Sequence, residues 1–218
     1  FALGLKAAMP AMPQGACFAF SDQDDFWYPD KLDRSIAFLR QKNVSLVHCD
    51  ARVVGEGGSS VAPSLHRFEL RQEPRNLLET IVLNSVSGMT AVFTAETARL
   101  SLQLMDGLAS SLLHDHVTAI AAASLHGIAH LDEALADYVQ HDDNVLGAKA
   151  LQQRAWYRRT PSFGGIAAYR RTSRRIYEDR RGVAQALHAA GRLPNALGPL
   201  FQVVPGLPRL ILHYDAAL

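Results

Sequence analysis

Along the chain, short apolar runs bounded by turn formers alternate with stretches where apolar residues recur every three or four positions. The first pattern suits buried strands and the second suits helices packed by one face. Residues 1–9 read as the tail of a helix, ended by the stretch from Pro10 to Gly15. "ACFAF" (16–20) is a strand, and "PDKLDRSIAFLRQK" (29–42) a helix with Pro29 in its first turn and Leu32, Ile36 and Leu39 on its buried face. "VSLVHCDARVV" (44–54) is a strand, followed by the loop composition of "GEGGSSVAPS". "NLLETIVL" (76–83) is a short helix, "MTAVFT" (89–94) a strand and "AETARLSLQLM" (95–105) a helix. "VTAIAAASLHG" (117–127) is an Ala-rich helix that Gly127 can end, and "IAHL" and "ALADYVQH" are two further short strands. Beyond Gly147 the pattern is helical and basic until Pro194, Pro199, Pro205 and Pro208 interrupt it.

Strands alternating with helices predict an α/β fold around a mixed sheet, which binds ligands at the carboxyl ends of its strands. Two polar stretches are expected at such ends: "HCD" (48–50) and "FSDQDDFWYPDKL" (20–32). The second gathers Asp22, Asp24, Asp25 and Asp30 within nine positions. Clustered carboxylates stay ionised only when solvated, paired or neutralised by a cation, and Mg²⁺ or Mn²⁺ prefers such oxygens. From spacing alone, a solvated turn before an acidic helix start is an equal alternative. A calcium hand is excluded: counted from Asp22, the sixth position holds Trp27 rather than Gly, and the twelfth Asp33 rather than Glu.

Composition narrows the classes. A chain of 218 residues with 48% apolar and 20% charged residues can bury a sizeable core. Net charge +1 argues against a nucleic-acid partner for the whole chain. No apolar run approaches the ~20 residues of a membrane helix. Cys17 and Cys49 lie far apart in strand-like runs, which is neither a disulfide framework nor a zinc ribbon and suits a reducing compartment. The opening "FALGLKAAMPAMPQG" lacks the basic start and cleavage site of a signal peptide, so the chain reads as a piece of a longer protein.

"FSDQDDFWYPDKL" closely resembles the SDQDD-x-W-x-x-x-KL signature of family 2 glycosyltransferases, in the branch with bacterial rhamnosyltransferase-like enzymes. "NSVSGMTAVFT" (84–94) resembles that family's Asn-Ser-x-x-Gly-x-Thr segment. "LLHDHVTAIAAASLHGIAHLDEALADYVQHDDNVLGA" (112–148) resembles its block from "HD" to the Gln-His-x-x-Asn-Val-x-Gly end. The blocks run in order over residues 16–148, and their combination is more specific than any one of them.

The resemblance implies a GT-A fold, a mixed sheet flanked by helices, and an inverting, metal-dependent transfer of a sugar such as rhamnose. The donor would be a nucleotide sugar and the acceptor a polysaccharide or a lipid-linked glycan. The Asp-x-Asp motif maps to Asp22-Gln23-Asp24: Asp24 and Asp22 would hold Mg²⁺ or Mn²⁺, with Asp22 nearer the sugar or ribose and Asp25 able to share either role. Asp115 would be the base that deprotonates the acceptor hydroxyl. Read without the family, Asp115 is first a helix N-cap. Gly88 and Thr90 would shape the sugar or acceptor pocket, and His141 would lie near the diphosphate, although Asp142 and Asp143 add unfavourable charge there. His114 and His116 flank the base, one of them expected to face solvent.

Family members begin with a strand, a "YN-G" turn and a "DDGS" segment, none of which is in this sequence. The catalytic domain expected over 1–148 is therefore its C-terminal two-thirds, lacking the nucleotide-binding start. A basic, mainly helical extension is expected over 149–218, where Lys149 to Arg192 holds eleven Lys or Arg against Glu178 and Asp179. It could lie on anionic lipid at the inner membrane face of a cytoplasmic enzyme, or be a solvated face with Arg stems covering apolar surface. The alternative of another class is a non-catalytic module that keeps only cation and glycan contacts.

Overall fold

A computed structural model describes residues 1–13, 15–107, 112–140 and 163–201. Seven helices and six strands are formed there: α1 (Ala2–Ala8), β1 (Cys17–Ala19), β2 (Phe26–Trp27), α2 (Lys31–Lys42), β3 (Leu46–Gly55), β4 (Ser60–Ala62), α3 (Leu65–Phe68), α4 (Leu77–Val82), β5 (Ala91–Thr94), α5 (Ala95–Gly107), α6 (His114–Ala123), β6 (Ile128–Gln140) and α7 (Phe163–Ala189). The strands make one mixed sheet in the order β1-β5-β3-β6-β2, with β4 paired to β3. Only the β3–β6 pair is parallel.

Both faces of the sheet are covered, which is why β3 is buried almost throughout, with His48 and Asp50 included. Leu46 packs with Phe18, Phe93, Ala98 and Ala119 on the side of α5 and α6. Val47, its neighbour in the alternating pleat, meets Leu39 of α2 with Leu131 and Leu135 on the other side.

Several elements differ from the sequence expectations for local physical reasons. The two strands read in 128–141 are one strand, β6. Its register against β3 jumps from Cys49↔Leu131 to Asp50↔Ala134, so Asp132 and Glu133 bulge at the point where their polarity broke the apolar pattern. The "GEGGSSVAPS" loop contains β4, which pairs with Val53 and Val54. In α2 the buried stripe is Lys31, Ser35 and Leu39, while Leu32 is 41% exposed. The helix is rotated by one residue from the expected face, because Lys31 packs its stem inward beside Trp27. Asn43 ends this helix in the left-handed conformation (φ 52°).

The C-terminal part of α7 packs into the common core. Val183, Ala184 and Leu187, followed by Leu193 and Phe201, share one apolar cluster with Leu77, Ile81, Leu104 and Ile120. Among the described residues no helix is long and apolar enough to cross a membrane.

Candidate functional site

The acidic loop leaves β1 at one edge of the sheet and re-enters at the opposite edge as β2, paired with β6 through Phe26↔Asp137 and Trp27↔Ala136. Its far end is tied down twice. Asp25 Oδ1 accepts the Val139 N–H at 3.1 Å. Next to it, Tyr28 donates to Asp137 Oδ1 at 2.7 Å, and Arg52 grips both oxygens of Asp137 at 2.9 and 2.7 Å. Asp25 thus has a structural partner in β6. Beneath the loop the Lys31 ammonium lies 3.6 Å from the centre of the Trp27 ring and has no hydrogen-bond partner among the described residues. Burial pulls Lys31 down to about 8.

Asp22 is half-buried, and its carboxyl group is pushed up by that burial and by the charge of Asp24. The two like charges therefore sense each other. Asp22 also senses Asp115. The latter sits in the first turn of α6, whose N-cap position is Leu113, so Asp115 is not the capping residue. Its Oδ1 takes the His116 N–H at 2.6 Å, and Gly88 packs against its Cβ. Burial pushes Asp115 up to about 6, helped by the charge of Asp22 and opposed by the backbone of His116 and Gly88 and by Arg71. Gly88 thus packs against Asp115, and Asp22 is near enough for its charge to act on the same carboxyl, although the three come from distant sequence blocks.

Gly88 is where the chain needs the smallest side chain. A Cβ there would lie 2.9 Å from His114 Nε2 and 3.8 Å from Asp115 Cβ. The His114 ring is stacked on Phe1 (centroids 3.8 Å apart) and edge-on to Phe20 (4.7 Å), so it cannot yield freely. Gly88→Ala is expected to destabilise the protein by about 1–3 kcal/mol, as overpacking does. That corresponds to a thermal midpoint lower by roughly 2–4 °C per kcal/mol; an unchanged midpoint would refute the steric account.

Neither neighbouring histidine faces solvent, contrary to the expectation for one of them. His116 is buried and donates from Nε2 to Thr80 O at 2.7 Å, and His114 lies in the Phe1–Phe20 stack. Burial pulls both down to about 4. Apolar neighbours, which spacing does not reveal, explain the difference. Thr90 is buried, with its hydroxyl donated to Ser87 O at 2.8 Å, and it lines a recess with His48, Asp50, His66, Arg71 and Ser87. His141 lies outside the described residues. "HCD" is placed mid-strand and buried, because β3 continues pairing to Gly55.

Arg71 was not legible in the sequence. It pairs with Glu69 at 2.6 Å, donates to Ser85 O at 2.8 Å, and turns its positive charge toward Asp115. It lies in a stretch of mixed polar residues with no periodicity, so only the fold relates it to α6. Comparison with family models and with curated proteins gives no match for this chain.

Proposed function

We propose that the chain carries the cation- and acceptor-handling part of an inverting glycosyltransferase of GT-A type, moving a sugar from a nucleotide donor to a glycan or lipid-linked acceptor. What carries this reading is that Gly88 packs against Asp115 and that Asp22 lies near enough for its charge to raise the Asp115 carboxyl. These three residues come from the three sequence blocks that resemble the family, although 27 to 93 positions of chain separate them.

The donor set suits a hard divalent cation. Asp22 and Asp24 are like charges close enough for Asp24 to disturb the half-buried Asp22, and a cation relieves that repulsion. Asp24 and Asp22 would hold Mg²⁺ or Mn²⁺, which when bound would neutralise charge on the leaving diphosphate. The remaining chemistry belongs to Asp115. Its carboxylate takes the proton of the acceptor hydroxyl as that oxygen attacks the anomeric carbon and the diphosphate leaves. With its carboxyl pushed to about 6, Asp115 is mostly ionised at pH 7 yet more basic than an exposed aspartate. His116 holds the carboxylate by its N–H, and Gly88 packs beside it. Thr90 and the neighbouring recess would border the acceptor. The basic residues between Lys149 and Arg192 would bring the enzyme to an anionic cytoplasmic membrane face, where lipid-linked acceptors lie.

The test is thermal protection by Mg²⁺ or Mn²⁺. At ~100 times the dissociation constant, a bound cation stabilises by about 2.7 kcal/mol, a rise of roughly 5–10 °C for a chain of this size. Asp24→Asn should remove the rise, and nucleoside diphosphate should add to it in the whole polypeptide that the gene encodes. Cation protection without any effect of nucleoside diphosphate would favour the non-catalytic module. A rise that survives Asp24→Asn would overturn the placement of the cation.

A further inference from the structure

Away from the acidic loop, β3, β6 and the segment around α3 gather three imidazoles around one carboxylate. His48 and His130 are register partners on the parallel β3–β6 pair, so their rings stack side by side, with centroids 4.8 Å apart. His66 joins them from α3 and stacks on His130 at 4.5 Å. Two backbone devices hold α3 there: Asp50 Oδ1 accepts the His66 N–H at 3.0 Å, and Ser64 Oγ caps the helix through the Arg67 N–H.

Glu73 closes the group. Its Oε2 is bonded by His48 Nε2 at 3.0 Å and by the Ser85 hydroxyl at 3.1 Å. Its Oε1 lies 2.7 Å from His66 Nε2. One ligand atom each from His66, Glu73 and His130 lie within 4.8 Å of one another. Around a tetrahedral Zn²⁺, bonds of about 2.0–2.2 Å place ligand atoms roughly 3.5 Å apart, so the three need only small adjustments. His130 Nε2 is buried and has no hydrogen-bond partner among the described residues. A buried nitrogen left unpaired is costly unless something binds it.

We propose that His66, Glu73 and His130 form a second cation site, for a borderline d-block ion such as Zn²⁺. Glu73 supplies Oε1, and each histidine supplies one ring nitrogen. His48 and Ser85 hold Oε2 and so aim the carboxylate, the role that groups behind metal ligands commonly play. The fourth position is left to water or to a ligand from the recess that His48, His66, Arg71 and Thr90 line. Two nitrogen donors favour Zn²⁺ or Co²⁺ over Mg²⁺, in contrast to the all-oxygen loop at Asp22 and Asp24. The site does not depend on the sugar-transfer reading.

The experiment is metal titration of the 218-residue chain after chelator treatment, with Zn²⁺ and with Co²⁺ as a spectroscopic stand-in. A single equivalent of Zn²⁺ should bind, and Co²⁺ should give the visible absorption of a four-coordinate site. His130→Gln and Glu73→Gln should each weaken Zn²⁺ binding by about 100-fold or more, and His48→Phe by about 10–100-fold. Zn²⁺ affinity in Asp24→Asn should stay at the wild-type value, which separates this site from the loop. Circular dichroism checks that each variant folds; if one does not, His66→Asn is read in its place. No Zn²⁺ bound by the wild type, affinity unchanged in the ligand variants, or affinity lost in Asp24→Asn would each overturn the proposal.

Discussion

Asp115→Asn should lower sugar transfer by about 10²–10⁴-fold, the usual contribution of a positioned base, while leaving the fold at least as stable as wild type at pH 7. Both parts follow from its surroundings. Burial pushes the carboxyl from an ordinary value of 3.8 to about 6, so folding opposes its ionisation. A shift of that size is worth about 3 kcal/mol, present as a penalty once pH exceeds the folded value. The sign follows from proton binding. Below 3.8 the group is protonated in both states and no penalty exists; between 3.8 and 6 the folded state holds the proton more tightly, so stability falls as pH rises. Asparagine removes the penalty, and it weakens the bond from the His116 N–H, at about 1 kcal/mol. Urea unfolding at several values between pH 4 and 7 should therefore show Asp115→Asn gaining on wild type as pH rises. Transfer assayed on the whole gene product should show an acid limb near pH 6 in the wild type. Activity of the Asn variant within tenfold of wild type would remove Asp115 from the role of base.

Lys31→Met should stabilise the protein at pH 7 by about 2–3 kcal/mol and abolish a rise in stability between pH 8 and 10.5. Lys31 is fully buried, and burial outweighs the small opposing influence of Cys49 to bring it down to about 8. Above about pH 8 the folded chain releases this proton while the unfolded chain keeps it until about 10.5, so stability increases with pH across that window. At pH 7 both states are protonated and the whole desolvation penalty remains, offset in part by the face of Trp27. Methionine keeps most of the stem volume against Trp27 without the charge. Cys49, raised by burial to about 11 and held back in part by the Lys31 charge, contributes an opposite slope to both proteins, over a wider pH range in Lys31→Met. Loss of stability in Lys31→Met at pH 7 would show that the ammonium is compensated by a partner and that its burial is not a net cost.

Local chemistry explains which features were legible in the sequence. β5 could be read because a short continuous apolar run has few alternatives, and β3 because apolar pairs flank its polar His48, Asp50 and Arg52 on both sides. α2, α4 and α5 could be read because helical spacing repeats within each segment. The acidic loop could be read because four carboxylates in nine positions demand an explanation at any level of structure. What failed depended on neighbours distant in the chain. Which face of α2 is buried turns on the Trp27 ring, and whether His114 and His116 meet water turns on Phe1, Phe20 and Thr80. The continuity of β6 turns on β3, whose pairing carries the strand across the Asp132–Glu133 bulge.

The sequence by itself determined the alternation of strands and helices, the density of charge at Asp22–Asp25 and the small residue at position 88, since each is a property of adjacent residues. Only the tertiary structure decided that Asp22, Gly88 and Arg71 act on Asp115, and that His48 and His66 bond Glu73 beside His130. Their interactions depend on distances of a few ångströms between positions many residues apart, and those distances are set by sheet register and by helix packing on both faces. No local pattern of side chains encodes them.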